Sequence, residues 1–329
     1  MIFYESDSHD PYWNLAMEEY VFHSLPRDED YFLLWQNDNA VIVGKFQNSV
    51  AEINSEYVEE HGIRVARRLS GGGAVYHDLG NVNYTFITDA GNTEELNLHA
   101  FCEPLKAALQ RLGVPAEISG RNDVLINGLK CSGSSQYLRR GRVMHHGCIM
   151  FNTDVSVLSH ALNYRPEKYV SKGTESVRSR VTNIADHMDG SVSVREFMDL
   201  LKTYMVEGRQ LETRTLTAED RAAIQKLRDE KYSTWEWNFG ASPKYEATVS
   251  EYVEGCGFIE LSYNVKDGII EDFRSQGDYF GAIDAEDLRS CLIGTAIHRD
   301  ALEKALKDVR MDKYYAGLTT GQFLDLLLK

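Results

Sequence analysis

Residues 67–78 read Arg67-Arg68-Leu69-Ser70-Gly71-Gly72-Gly73-Ala74-Val75-Tyr76-His77-Asp78. Glycine loses more backbone freedom on folding than any other residue and brings no side chain to a core. Three in a row belong where the backbone bends sharply or lies close against something else. The two arginines ahead of them favour an anion, because a guanidinium presents a fixed fork of donors. The alternative is a flexible loop beside a surface arginine pair. Residues 63–69 alternate as a strand, which sends Arg67 and Arg68 to opposite faces. The two should not share one role.

A second stretch fixes local geometry more tightly. Val124-Leu125-Ile126 and Leu129-Lys130-Cys131 flank Asn127-Gly128, the signature of a two-residue β-hairpin loop. The expected register sets Ile126 opposite Leu129, Leu125 opposite Lys130, and Asp123 opposite Ser132. Alternation then places Asp123, Leu125, Lys130 and Ser132 on one face, with Val124, Leu129 and Cys131 on the other. An acid and a lysine share a polar face, and Cys131 turns to the core.

The rest of the chain supplies ordinary α+β elements. Asp10-Pro11 starts a helix that runs to about residue 24, where Glu18 and Glu19 are expected to be solvated or paired. Strands are expected at 2–4 (an edge), 31–35, 40–43 and 145–152, with a hairpin of 74–77 and 81–87. Helices are expected at 53–61, 98–112, 154–163, 193–206 and 218–232. Residues 173–180 read as a polar turn with two cations, and residues 235–243 as an aromatic plug at a domain junction. From about residue 245 the pattern becomes three strands followed by helices at 284–292, 299–308 and 319–328. This divides the chain into a main domain, 1–244, and a small α+β domain, 245–329. A chain of 329 residues can bury a core in each.

Charge and cysteine usage exclude several functions. A formal net charge of −15, spread along the chain, argues against a general nucleic-acid face but leaves room for a local basic site. Five cysteines without a CxxC pair fit free thiols in a reducing cytoplasm. The reading is of a cytoplasmic chain with no signal peptide and no membrane span. Walker, GxGxxG and Gly-x-Ser-x-Gly motifs are absent. His145 and His146 face opposite ways on a strand, so they do not make a metal pair. Cys148 shares a face with His146, and a cysteine nucleophile is the competing chemistry. Arg67 or Arg68, Lys130 and the 70–73 backbone otherwise form an anion or nucleotide site, with acyl activation as one use of it.

These motifs, with Gly120-Arg121-Asn122-Asp123, Lys130-Cys131-Ser132-Gly133-Ser134, His145-His146-Gly147, residues 176–183 and Trp235-Glu236-Trp237-Asn238-Phe239-Gly240, resemble those of lipoate–protein ligases in order and spacing. The resemblance implies an α+β fold. A mixed or antiparallel sheet domain of the biotin/lipoate ligase type, related to class II aminoacyl-tRNA synthetases, would carry a small C-terminal domain. It implies ATP, Mg²⁺ and lipoate, with lipoyl-AMP as intermediate. The acceptor would be a lysine on a lipoyl domain of a 2-oxo-acid dehydrogenase complex or on the glycine-cleavage H protein. By motif, Arg68, Gly73, Ala74, Val75, Tyr76 and Lys130 would hold the nucleotide. Gly72, His77, Lys130 and His146 would hold lipoate. Lys130 and Asp123 would be catalytic, and Asp123 would also meet Mg²⁺. Cys131 departs from the family's usual aliphatic residue after the lysine. The competing readings are an ATP-independent octanoyl or lipoyl transferase using a cysteine, and a non-catalytic lipoyl-binding homologue.

Overall fold

The computed structural model describes residues 1–90, 96–120, 122–163, 181–206, 208–239, 247–266 and 268–328. Residues 173–180 and 240–243 of the polar turn and aromatic plug lie outside the described residues. The strands are β1 (Ile2–Glu5), β2 (Tyr31–Trp35), β3 (Ala40–Val43), β4 (Arg64–Arg67), β5 (Val75–His77), β6 (Asn81–Asp89) and β7 (Ala116–Ser119). They continue with β8 (Asp123–Ile126), β9 (Leu129–Arg139), β10 (Arg142–Met150), β11 (Glu212–Thr213), β12 (Ala247–Val253), β13 (Gly257–Lys266) and β14 (Ile269–Gly277).

The largest sheet is mixed, in the order β11-β1-β2-β6-β10-β9-β8-β7. Its period-two alternation separates two apolar faces. Phe32, Leu34, Val82, Tyr84 and Phe86 meet the helices Leu98–Arg111 and Val194–Tyr204 through Leu105, Leu109, Phe197 and Leu201. Tyr31, Leu33, Trp35, Ile87 and Met144 point the other way, onto Leu15 and Phe22 of the helix Pro11–Ser24. That helix starts as Asp10-Pro11 suggests, with the Asp10 side chain accepting from Tyr12 N. A small sheet, β4-β3-β5, packs on this second side through Ala40, Ile42 and Ala66. The third sheet, β12-β13-β14, has its own core of Ile259, Leu261, Phe273, Leu288 and Phe323.

Several expectations need correction, each because pairing is settled across the fold. Residues 74–77 and 81–87 do not form a hairpin. β5 pairs with β3, while β6 is enclosed by β2 and β10 and has no open edge for it. The connection is pinned instead by Gly80 O, which accepts from Phe151 N at 3.2 Å and Asn152 N at 2.9 Å. β2 and β3, adjacent in sequence, likewise lie in different sheets. Residues 2–4 are not an edge strand, because β11 pairs outside β1.

Candidate active site

The Asn127-Gly128 turn forms as its composition dictates, with φ of 52° and 81° at the two residues. Ile126 faces Leu129 and Leu125 faces Lys130, as expected. The register then shifts: Val124 pairs with Ser132, and Asp123 pairs with Gly133 rather than Ser132. Cys131 is the additional residue of a β-bulge, fully buried, with its thiol on Val124 O at 3.3 Å. The bulge sits where Lys130 also bridges to Val181 and its carbonyl accepts from Thr182 N at 2.9 Å. Ser132 consequently leaves the expected polar face and is buried.

That slip creates the site. Pairing now aligns Trp35, Asn83, Cys148, Gly133 and Asp123 as one row across β2, β6, β10, β9 and β8. Directly paired residues point to the same face, so the row floors a cavity of about 360 Å³. Lys130 lies across Gly133: a Cβ there would come within 2.8 Å of both Lys130 Cε and Nζ. The missing side chain lets Lys130 Nζ reach Asp123 Oδ1 at 2.8 Å, with both side chains about one-third exposed. One end of the floor is thus charged. The other, at Trp35, is walled by Leu15, Ile42 and Val75.

The arginines occupy different environments. Arg67 is buried among carbonyls, donating to those of Gly44 (2.8 Å), Lys45 (2.9 Å), Gln47 (2.7 Å), Trp237 (3.0 Å) and Asn238 (3.0 Å). The Trp237 indole returns a bond to Arg67 O, so this part of the aromatic plug locks an arginine. Arg68 lines the cavity and clamps the glycine run from inside, donating to Gly71 O (2.7 Å) and Gly73 O (2.9 Å). Burial lowers both guanidinium pKa values to about 10, which leaves both charged at neutral pH.

On the outside of the glycine run lies the C-terminal unit. Tyr279 O accepts from Gly72 N at 3.2 Å, and Tyr279 stacks on Phe46 at 4.9 Å. Gly72 has φ of +90°, and a Cβ there would lie 3.0 Å from the Phe280 ring. Glycine is required by both geometry and space. Tyr252, Asp278 and Phe280 complete the cavity wall.

His146 sits in a buried chain of polar groups. Its Nδ1 is 3.0 Å from Glu18 Oε1, and its Nε2 is 2.6 Å from Ser70 Oγ, which also accepts from Arg68 Nε at 3.1 Å. Thr85 donates to Glu18 and accepts from Trp35 Nε1. A serine, histidine and carboxylate in this order suggest a nucleophile, but Ser70 is only 1% exposed and does not line the cavity. The chain acts as a brace between the Pro11–Ser24 helix, β10 and the glycine loop.

Most residues expected at the site surround this one cavity: Arg68, Gly72, Gly73, Ala74, Val75, His77, Asp123, Lys130 and His146. Tyr76 is the exception. Alternation along β5 turns its ring to a separate core with Val41 and Val43, and its hydroxyl donates to Asn39 Oδ1. Only its backbone remains for a nucleotide.

A family model for the lipoyl protein ligase A/B catalytic domain matches residues 10–206, and one for the bacterial lipoate protein ligase C-terminus matches residues 242–327. The chain belongs to the lipoate–protein ligase family. It is 41% identical to lipoate–protein ligase 1 of Staphylococcus aureus over 318 residues, 97% of either chain. It is 40% identical to the lipoate-protein ligase LplJ of Bacillus subtilis over 331 residues, 99% of this chain and all of the relative. The crystal structure of LipL1 of P. falciparum in complex with lipoate shares the fold, with a TM-score of 0.79 at 22% identity. That match covers all of this chain and 98% of the other. A lipoate-protein ligase A bound with ATP matches 73% of this chain and 97% of its own, with a TM-score of 0.63 and 28% identity.

Within this lipoate–protein ligase, Glu18 is paired, as expected, but its partner His146, the side chains of Ser70 and Asn83, and the place of Gly133 under Lys130 were not foreseen. Glu18 carried a faint signal, since it lies four residues before Phe22 and four after Asn14, all on the buried side of one helix. Gly133 carried none until the register shift was known. Among the described residues no helix is long and apolar enough to cross a membrane, and no cluster of three or more His, Cys, Asp or Glu could hold a metal ion.

Proposed function

We propose that residues 1–244 carry the ligase chemistry, with 245–329 as the accessory unit that closes over the glycine run. A carboxylate oxygen of lipoate attacks the α-phosphorus of ATP, pyrophosphate leaves, and lipoyl-AMP remains in the cavity. The neutral amine of an acceptor lysine then attacks the acyl carbon, AMP leaves, and the amine proton passes to solvent. The Lys130–Asp123 pair at the charged end of an apolar-walled floor carries this reading.

Two anions must approach one another for the first step. The ammonium of Lys130 reduces their repulsion and stabilises charge building on the α-phosphate. Asp123 fixes that ammonium over Gly133. Backbone N–H groups from Gly73 to Tyr76 are the donors we assign to the phosphates, with Arg68 holding the loop that presents them. Gly72, His77 and His146 flank the acyl chain. Mg²⁺ is commonly bound through one or two carboxylates plus substrate phosphates, and Asp123, with Oδ1 on Lys130, has a second oxygen to offer. When bound there, it would neutralise phosphate charge.

The cysteine-transferase reading lacks a base. Cys148 is in the floor row and accessible, but both ring nitrogens of the neighbouring His146 are engaged by Glu18 and Ser70. Burial pushes the Cys131 thiol up to about 12, so it is inert. Cys148→Ser and Cys131→Ser are each expected to retain lipoyl transfer within about threefold, because each exchanges a thiol for a hydroxyl of similar size and leaves Lys130 and Asp123 themselves in place.

The acceptor is a lipoyl-domain protein, and we assign it to the 2-oxo-acid dehydrogenase or H-protein class. With a net charge of −15 the ligase cannot steer an acidic domain over long range, so docking is local. Incubation with ATP, lipoate and an apo lipoyl domain should add one lipoyl mass to a single lysine, only with ATP present. Octanoyl transfer from an acyl-carrier protein without ATP would instead support the transferase.

A further inference from the structure

Beyond the glycine run lies a second cavity, of about 510 Å³. The face of β9 that floors the catalytic cavity leads to it. Alternation puts Gly133, Ser135, Tyr137 and Arg139 on that one face. Gly133 and Ser135 line the catalytic cavity, and the Ser135 hydroxyl donates to Gly71 O at 2.8 Å, which seats the glycine run on the strand. Tyr137 and Arg139 line the second cavity. From Gly133 to Arg139 is about 20 Å along the strand. The C-terminal unit walls both: Phe280 lines the first cavity, and Ala282 and Ile283 line the second.

This cleft is basic in an acidic protein. Lys45, Arg139, Arg140 and Lys313 line it against Asp284 and Asp287, so four cations meet two carboxylates in a chain of net charge −15. Lys45 Nζ lies 2.5 Å from Asp284 Oδ2, an ion pair that joins the two units. Arg139 and Arg140 are exposed at the β9–β10 turn. Ile283 is 39% exposed, a large apolar side chain left in water on the same lining. Arginine, tyrosine and an exposed aliphatic side chain suit a protein-binding surface better than a small-anion pocket.

The turn itself holds Arg140 against local preference. Arg140 and Gly141 have φ of +50° and +72°, the two left-handed positions of a tight hairpin loop. Such a loop favours asparagine or glycine first, and the β8–β9 hairpin of this sheet has Asn127 there, at φ of 52°. Arginine is uncommon in that region. Arg27 steadies the turn, its Nη2 donating to Arg140 O at 2.8 Å. A residue kept where its backbone is disfavoured points to a use for its side chain.

We propose that this cleft is the docking surface for the acceptor domain, seating an acidic face of that domain while its lysine enters the neighbouring cavity. The inference rests on the ligase reading and concerns only its second step. An acceptor that brings a lysine to the acyl carbon beside Lys130 needs a hold on the ligase outside the cavity. A domain of about 100 residues has a radius of gyration of about 13 Å, enough to cover both places at once. The cleft's positive charge selects an acidic face, and the negative remainder of the chain disfavours docking elsewhere.

Two assays separate docking from chemistry: lipoate-dependent ATP–pyrophosphate exchange, which needs no acceptor, and lipoyl transfer to an apo lipoyl domain. The Arg139→Glu, Arg140→Glu double variant should keep exchange within about twofold and lose about tenfold in kcat/KM for the apo domain, through KM. Added salt should weaken transfer by the wild type more than by the double variant. Arg140→Asn suits the turn, so it should unfold in urea no earlier than wild type and still lose about threefold in transfer. Wild-type kcat/KM for the apo domain in the folded double variant would overturn the inference, with the ligase reading intact. Should that variant fail to fold, undiminished transfer by Arg140→Asn would overturn it. Equal losses in exchange and transfer would do so too, because the change would then act on the cavity. No exchange by the wild type would sink the ligase reading first and this one with it.

Discussion

Lys130→Ala should lower lipoate-dependent ATP–pyrophosphate exchange by about a thousandfold, the scale on which a single preorganised stabiliser of transition-state charge acts. The protein should stay folded. Lys130 is 39% exposed at its side chain, so its removal leaves no buried cation unpaired and returns Asp123 to solvent. The loss should appear in kcat and kcat/KM alike, because the ammonium matters most as charge develops on the α-phosphate. Lys130→Arg should not restore the rate. The planar guanidinium cannot follow the path of a slender ammonium stem across Gly133, where a mere Cβ would come within 2.8 Å of Cε and Nζ. Exchange in Lys130→Ala above about a tenth of wild type would exclude this lysine from the chemical step.

Arg67→Met should have the opposite profile, with stability lost before chemistry. The guanidinium joins carbonyls of Gly44, Lys45, Gln47, Trp237 and Asn238 and the Ser49 hydroxyl, and has no place in the cavity lining. Methionine fills part of the volume but strands those acceptors inside the protein. The expected cost is about 3–5 kcal/mol, a large share of a domain's total stability. Urea unfolding should show the midpoint falling with little change in slope. Arg67→Lys should recover only part of the loss, since three ammonium donors cannot span acceptors placed for a planar fork. A midpoint within experimental error of wild type would mean that the carbonyls find other donors.

The contrast between these two cations shows what could be read from the chain alone. Period-two alternation was enough to separate Arg67 from Arg68, because it depends only on neighbouring residues. The Asn127-Gly128 turn was legible for the same reason: positive φ at two successive positions is a local demand. The register beyond it was not. Cys131 bulges where Lys130 also pairs with Val181, some fifty residues later, and nothing near the hairpin encodes that. That one-residue slip puts Gly133 rather than Ser132 beside Asp123, and Lys130 can cross the floor only over a glycine.

Tertiary pairing also decided the fate of β5 and β6. Their connecting Asp78-Leu79-Gly80 looks like a hairpin turn, yet β6 is taken on both edges by partners from distant sequence. The partners of Glu18 were hidden for a related reason. Pairing was one expectation for this carboxylate, but His146 and Thr85 reach it only once β10 and β6 are packed on the helix. The polar chain from Trp35 to Ser70 is likewise a product of packing. Family resemblance named His77 and His146 as site residues. The hydrogen-bond network separates them: His146 is held through both ring nitrogens, by Glu18 and Ser70, and His77 through Nδ1 by Asn37.

The central claim is that this cavity makes an acyl-adenylate. Purified protein given ATP and labelled pyrophosphate should exchange label into ATP only when lipoate is present, with no acceptor domain required. Absence of exchange in folded protein, together with octanoyl transfer from an acyl-carrier protein that Cys148→Ser abolishes, would contradict it.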